Sequence, residues 1–302
     1  MIDIRKTVAR RKLADRLFAV LGMVCVALGL LTLLFLMGDL VIEGRSRLNW
    51  SFISSFTSSR PEQAGILAAL VGSLLVMLVT ISTAVPLGVA AGVYLEEYAP
   101  KNRFTSIIEI NIANLAGVPS IVYGLMFLGL FIYGFGAGRS VLSAGLTLAL
   151  LVLPIVIVAT REALRTIPGN IREAAYAMGA SKWQVVSHHL IPYSAGGIAT
   201  GVIIATSRAI GETAPLITIG AAAFLRFVPP APLQSTFPFV SFEWLTSDFT
   251  VMPIQIYSWI SDAQHEFHVN AAAAGVVLVS MTLSLNAAAI WLRYRMRKRI
   301  KW

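Results

Sequence analysis

Arg208 and Glu212 lie four residues apart within a long apolar segment of the sequence. An ionisable pair in such a segment is costly in lipid and marks a candidate functional site. The Arg208 guanidinium offers a planar fork of N–H donors that matches carboxylate or phosphate oxygens. A spacing of four also places both side chains on one helix face, where they can pair. Two roles stay open: an anion site, in which Glu212 competes for Arg208 as the anion leaves, or an ion pair that joins helices.

A second group of polar side chains follows a proline in another apolar segment. Ser120 and Tyr123 come directly after Pro119 at a spacing of three, which puts both hydroxyls on one helix face. Pro119 has no N–H, so it leaves the carbonyl of Leu115 without its helical partner. The two hydroxyls either line a polar path or bond to backbone. Pro215 predicts a kink beside the charged pair for the same reason as Pro119.

The composition indicates lipid as the solvent of this chain. Of its 302 residues, 57% are hydrophobic and 13% are charged, too few polar side chains to coat a water-soluble protein of this size. The net charge of +9 lies beside apolar runs rather than among polar and aromatic residues, which favours a membrane over nucleic acid. We therefore predict an all-α integral membrane protein with six transmembrane helices. The six segments are about 17–37, 66–92, 106–136, 141–159, 193–224 and 270–292.

Lysine and arginine positions predict the orientation. Eighteen of these residues flank the segments on one side, whereas five lie on the other side. Positive residues stay in the cytoplasm, so both termini and a loop of about residues 160–192 are expected there. A second loop, residues 225–269, is then external, and its aromatic side chains either lie at the membrane interface or cap a vestibule. These aromatic residues include Phe227, Phe237, Phe239, Phe242, Trp244, Phe249, Tyr257 and Trp259.

The cytoplasmic loop carries local signals of two short helices. Asn170 and Glu173 have the spacing of a capping box, and Gly179 stands where a helix would end. Ser181 and Gln184 form a second box. The pattern predicts a helix with small side chains, a glycine turn and a second helix. Such a unit either fits a groove in another protein or is an ordinary connection.

The same loop contains Glu173-Ala174-Ala175, then Gly179, then Ile191-Pro192. This pattern resembles the EAA motif of permease subunits of bacterial ABC importers. It departs from that motif at His189, where the family has isoleucine, and at Ile191, where it has leucine. Three further motifs resemble the phosphate permease branch of PstA type, and with the loop they cover about residues 66–292. They are Pro86–Gly88 with Tyr94–Tyr98, Gly117–Leu125 and Arg208–Leu216.

The resemblance implies a type I ABC importer permease-like domain over residues 65–302. Residues 1–64 would form the cytoplasmic N-terminus, the first transmembrane helix and an outer loop. It also implies that the loop is a coupling segment that docks on an ATPase subunit, through Glu173, Ala174, Ala175, Gly179 and Ala180. The implied substrate pathway comprises Arg208, Glu212, Thr213, Ser120 and Tyr123.

The partners implied are two ATP-binding subunits, a second homologous permease, an external phosphate-binding protein and lipid, in a bacterial or archaeal cytoplasmic membrane. The chain itself would hold no cofactor and no metal, and it would not be an enzyme. It contains no G-x-x-x-x-G-K-[ST] motif, so ATP would be bound by the partner subunits. His265 and His268 lack the carboxylate or thiol companions of a metal site.

Two alternative functions remain. An arginine in a polar cavity does not choose among tetrahedral anions, so a permease for sulfate or molybdate fits the same residues. An ion-coupled secondary carrier or channel is the other alternative. It leaves the EAA loop unexplained, and the sequence offers no chain of membrane carboxylates for proton relay.

Overall fold

A computed structural model describes residues 4–232, 239 and 241–297, and throughout this part of the chain the regular elements are helices. The prediction of an all-α protein is confirmed. Thirteen α-helices are described: α1 (Ile4–Gly44), α2 (Trp50–Ser54), α3 (Leu67–Val93), α4 (Arg103–Leu115), α5 (Ser120–Phe127), α6 (Val141–Arg165), α7 (Gly169–Ala177), α8 (Lys182–Gln184), α9 (Ile191–Gly211), α10 (Ala214–Thr218), α11 (Glu243–Thr246), α12 (Met252–Ile260) and α13 (His265–Arg297).

Within the described residues, five helical stretches are long and apolar enough to cross a membrane, and a bent pair of helices makes a sixth. This agrees with the six predicted segments. Several of the helices run past the predicted ends, and two of these extensions contact each other: α3 continues through a π-helical turn to Tyr98, and α6 continues to Arg165. Both extensions carry charged side chains, and Glu96 at the end of one pairs with Arg165 at the end of the other. Hydropathy alone could not place these ends.

The third predicted segment, 106–136, is not one straight helix. It consists of α4 and of α5 with its π-helical continuation to Gly134, and the two parts are bent by 105°. The prediction of a single span is therefore wrong in shape. Pro119 is the N-cap residue of α5, and α4 has already ended at Leu115. A proline disfavours helical backbone in the residue before it, which ends the first helix ahead of Pro119.

The fifth predicted segment, 193–224, is also wrong in its extent. Helix α9 ends at Gly211, residues 212–213 break the helix, and only the short α10 follows. Arg208 therefore lies in the last turn of α9 rather than in the middle of a span. Pro215 does not kink a continuous helix. It occupies the first turn of α10, where its missing N–H costs no helical hydrogen bond.

The predicted outer loop, 225–269, contains α11, α12 and the start of α13. Its aromatic side chains divide between two environments. Trp244, Phe249 and Trp259 are buried, whereas Phe227, Phe239, Phe242 and Tyr257 are exposed. Residues 233–238 and 240, with Phe237 among them, lie outside the described residues, as do both chain ends.

Arg47 ties the segment after α1 to the start of α13. Its Nε donates to Asn270 Oδ1 at 2.7 Å, and its two terminal nitrogens donate to the carbonyls of Glu62 and Ala64, each at 2.7 Å. Burial lowers the pKa of Arg47 from its ordinary value, and the negative charge of Glu62 opposes that shift. The directed bonds compensate the partly buried guanidinium for lost water.

The centre of the molecule is formed by α3, α6 and α9, which pack closely through glycine. A Cβ atom at Gly92 of α3 would lie 2.7 Å from Thr160 Cβ on α6. At Gly197 of α9 it would lie 2.6 Å from Ala163 Cβ on the same α6. Small residues let helix backbones approach in membranes, where packing rather than hydrophobic transfer drives association. Helix α9, which carries Arg208, is thereby held against α6.

Candidate functional sites

Arg208 and Glu212 form the ion pair that their spacing predicts. Arg208 Nε lies 3.3 Å from Glu212 Oε1, and the two side chains are 36% and 18% exposed. Glu212 is the C-cap residue of α9 and has extended backbone, so the pair spans the point at which the helix stops. Ser207 beside Arg208 donates to Asn286 Oδ1 at 2.8 Å, which fixes this end of α9 against α13. Arg208 retains donors that the carboxylate does not use, because only Nε is within hydrogen-bond distance of it.

The two helix breaks meet in space. A Cβ atom at Gly124 of α5 would lie 2.7 Å from both Cα and the carbonyl oxygen of Pro215 in α10. Only glycine permits this backbone contact, because any side chain would push the two short helices apart. Helix α5 follows the break at Pro119, and α10 follows the break at residues 212–213. The close contact thus joins the polar residues of both breaks.

Tyr123 lies within this junction but uses its hydroxyl locally. The side chain is 6% exposed, and its hydroxyl donates to the carbonyl of Leu115 at 2.8 Å. That carbonyl is also reached by the amide of Val118 at 3.0 Å, so the carbonyl expected to be free has two partners. The bond fastens α5 across its own break to the end of α4. Arg208 lies within electrostatic reach of Tyr123.

The remaining predicted pathway residues also lie at the breaks. Ser120 is the first residue of α5 and is partly exposed. Thr213 precedes α10, and its carbonyl accepts from the amides of Leu216 and Ile217 at 3.1 and 3.0 Å. The junction therefore offers one guanidinium, one carboxylate and two hydroxyls. Among the described residues, no group of three or more histidine, cysteine, aspartate or glutamate side chains is placed to hold a metal ion.

The loop of residues 160–192, predicted to be cytoplasmic, forms the predicted pair of short helices, with one difference at its start. Helix α7 begins at Gly169 after Pro168, and no side chain caps it, so the capping box expected at Asn170 is wrong. Proline at the N-cap position already sets the backbone that a capping side chain would otherwise favour. The second box is confirmed, with Ser181 and Gln184 each bonding to the other's backbone. Gly179 has a φ of +84°, as its predicted place after the helix requires.

The loop has an inner and an outer surface. Ala175 and Ala180 pack against a buried cluster formed by the ends of α3 and α6 with residues 185–190, whereas Glu173 and Ala174 are exposed. Three large apolar side chains point outward and were missed by the sequence analysis. They are Tyr176, Met178 and Trp183, which are 45%, 88% and 65% exposed. Apolar side chains in a loop outside the membrane were the available signal.

A group of ion pairs lies where the ends of α3 and α6 meet α4 and the start of the loop, and it too was missed. Glu96 Oε2 lies 3.5 Å from Arg161 Nε, and Arg161 Nη2 lies 2.7 Å from Glu109 Oε1. Arg172 of α7 pairs with Glu97, with Nη2 and Oε1 2.7 Å apart. Acidic residues directly after α3, together with basic residues near the end of α6 and in α7, were the signal in the sequence.

Comparison with known proteins adds the following. Residues 84–302 match the family described as binding-protein-dependent transport system inner membrane component. A probable ABC transporter permease protein, YqgI of Bacillus subtilis, is 32% identical over 96% of this chain and 98% of its own length. The phosphate transport system permease protein PstA of Haemophilus influenzae is 34% identical over 80% of this chain and 85% of its own. The phosphate transport system permease protein PstA of Yersinia pestis is 31% identical over 93% of this chain and 90% of its own length.

A solved structure shares the fold. It is the MetNI methionine ABC transporter, in an inward-facing conformation, and one of its chains aligns with a TM-score of 0.55. The match covers 77% of this chain and 94% of that chain at 16% sequence identity. This similarity concerns the arrangement of the helices alone.

Proposed function

Because the chain belongs to the family of binding-protein-dependent transport system inner membrane components, we propose that it is the permease subunit of an ATP-driven importer of inorganic phosphate. The observation that carries the proposal is the junction of two broken helices, with the Arg208–Glu212 pair at one break. The similarity to PstA proteins of several bacteria supports phosphate as the cargo.

The proposed pathway passes the junction. Arg208 attracts the anion with the N–H donors that do not bond to Glu212. When the anion leaves, Glu212 pairs with the Arg208 guanidinium again. Ser120 and Thr213 supply hydroxyl groups at the ends of α5 and α10, while Tyr123 holds the break of α5 in place. The chain moves its cargo without forming or breaking a covalent bond in it.

Energy enters through other subunits in this proposal. Two cytoplasmic ATP-binding subunits hydrolyse ATP, a second homologous permease completes the pathway, and an external phosphate-binding protein delivers the cargo. Glu173, Ala174, Ala175, Gly179 and Ala180 form the loop segment that meets an ATP-binding subunit, with Tyr176, Met178 and Trp183 as its apolar contacts. The whole is a multi-pass assembly in a bacterial or archaeal cytoplasmic membrane.

Orientation gives the first testable prediction. Reporter domains inserted at exposed Gly169 or fused after the last residue should be cytoplasmic, and one inserted at exposed Asp262 should be external. The reason is the excess of lysine and arginine on the side of the termini. Paired alkaline phosphatase and fluorescent-protein fusions report on which side of the membrane each site lies. Cytoplasmic fluorescence from the Asp262 insertion would contradict the arrangement.

The second prediction concerns the loop segment that meets the ATP-binding subunit, which we call the docking loop. A chain with Gly179→Val should still insert into the membrane, but it should bind about tenfold less of the ATP-binding subunit. The reason is that a φ of +84° strains a β-branched residue by roughly 1–2 kcal/mol. Gly169→Val is the matched control, since a Cβ atom meets nothing within 4 Å at either position and Gly169 needs no positive φ. Copurification from membranes measures the bound subunit. Equal recovery with the two variants would remove the docking role of the turn.

The function itself is tested by the energy source of uptake. The complex purified through this chain should contain an ATP-binding subunit, and vesicles that hold the complex should take up phosphate with ATP and the binding protein. An ion gradient without ATP should drive no uptake. Uptake driven by the gradient alone would instead assign the chain to ion-coupled carriers and would overturn the proposal.

A further inference from the structure

Arg172 binds three separate elements at once. Its Nε and Nη2 donate to the Glu97 carboxylate, at 3.2 Å and 2.7 Å to Oε1. Its Nη1 donates to the carbonyl of Ile167 at 2.9 Å, and Nη2 also reaches the carbonyl of Leu164 at 3.1 Å. The guanidinium thus connects α7, the turn after α3 and the end of α6. All three of its nitrogens are used.

The partners are sheltered from water. The Glu97 side chain is 9% exposed, and that of Arg172 is 22% exposed. A charge-assisted pair with two donors on one carboxylate fixes direction as well as distance. The apolar packing of Ile171 and Ala175 against the same region has no such directionality. The orientation of α7 on the membrane helices therefore depends on the ion pair.

Glu97 stands at the end of a helix that reaches the candidate pathway. It belongs to the π-helical turn Tyr94–Tyr98 that continues α3 without a break. Helix α3 packs along α6 and also contacts α9, which carries Arg208 in its last turn. On the opposite side, Arg172 directly precedes Glu173 of the docking loop. The pair is a direct bond between the loop that meets the ATP-binding subunit and a helix beside the pathway.

We propose that the Glu97–Arg172 ion pair is a positioning contact that transmits movement of α7 to α3 and thereby couples ATP hydrolysis to transport. This inference rests on the proposed function. It assigns the two residues to coupling rather than to docking, because Glu97 and Arg172 face the membrane helices and not the exposed surface of the loop. Loss of the bond would leave the ATP-binding subunit attached while its movement no longer reaches α3.

A nearby pair supplies the control. Glu162 lies 3.2 Å from Arg165, and both side chains are largely exposed, at 64% and 45%. Neither residue belongs to α7. Exposed ion pairs contribute little to structure or energy. Glu162→Gln therefore removes the same charge as Glu97→Gln from the same side of the molecule without touching the proposed contact.

The experiment compares Glu97→Gln, Glu97→Asp, Arg172→Lys and Glu162→Gln in the complete complex, reconstituted with the ATP-binding subunit, the second permease and the binding protein. Phosphate transported per ATP hydrolysed should fall on the order of tenfold in Glu97→Gln and Arg172→Lys, a size typical of coupling between sites. Glu97→Asp should recover part of the ratio, and Glu162→Gln should keep it. The ATP-binding subunit should copurify in normal amount with all four.

An unchanged ratio in assembled Glu97→Gln or Arg172→Lys would overturn the inference. Loss of assembly in both variants would also overturn it, because the pair would then serve folding. Failure of the proposed function is distinguishable, since it shows in the unsubstituted complex as absence of an ATP-binding subunit or of ATP-dependent uptake.

Discussion

Replacing Arg208 by glutamate should abolish phosphate uptake while the chain still reaches the membrane. The change places a second carboxylate beside Glu212 at the break, where an anion must pass. Arg208→Lys should lower uptake about tenfold, because an ammonium group keeps the charge but loses the planar fork, at a cost of about 1–2 kcal/mol. The transport activity of both variants is measured as uptake of radioactive phosphate, at equal amounts of the chain in the membrane.

The charge swap Arg208→Glu with Glu212→Arg separates the two roles of this pair. If the pair only joined helices, the swap would restore assembly and most of the uptake. We expect the swapped chain to assemble and stay inactive, because the guanidinium would then stand beyond the end of α9 rather than in its last turn. Full uptake by the swapped chain would assign the pair to structure.

Gly124→Ala should impair both transport and the stability of the complex. The added methyl group would lie 2.7 Å from Pro215 Cα and from its carbonyl oxygen, so α5 and α10 must separate. Overpacking of this kind costs about 1–3 kcal/mol, and here it displaces the break that carries Arg208 and Glu212. We expect uptake to fall roughly tenfold at matched membrane levels, together with a lower melting temperature of the purified complex.

Gly129→Ala is the matched control for this prediction. Gly129 lies in the helical continuation of α5, and a Cβ atom there would meet nothing within 4 Å. The control should keep both uptake and melting temperature. Equal uptake by the Gly124 and Gly129 variants would show that the contact between the two short helices is not needed for transport.

Much of the helical arrangement was predictable because the apolar segments are long. The residues that cap and end the short helices of the loop also lie close in sequence to the groups that they bond. Ser181, Gln184 and Gly179 lie within a few residues of the groups that they cap or turn, so sequence spacing was enough. The Arg208–Glu212 pair was predictable for the same reason, since four residues along one helix bring the side chains together.

The shape of the breaks was not predictable in this way. Pro119 indicated a break, but the 105° bend is held by contacts with α10, more than ninety residues later in the chain. The end of α9 at Gly211 was hidden because the sequence is largely apolar again over residues 214–224. The position of Arg208 in the last turn followed only from the structure.

The contact between Glu97 and Arg172 illustrates the same limit for the candidate sites. The residues are 75 positions apart, and each alone resembles an ordinary charged residue at the membrane surface. Only the packing of α7 against the ends of α3 and α6 brings them together and buries the carboxylate. Sequence spacing reports on neighbours within one helix, whereas this joint depends on three elements.

The most direct test of the account measures ATP hydrolysis by the reconstituted complex with binding proteins loaded with different anions. The phosphate-binding protein loaded with phosphate should stimulate hydrolysis and uptake. Binding proteins for sulfate and for molybdate, each loaded with its own anion, should stimulate neither. Such a result would establish this chain as part of a phosphate importer. Stimulation by the sulfate- or molybdate-loaded protein, without stimulation by the phosphate-loaded one, would contradict the account and assign the permease to another oxyanion.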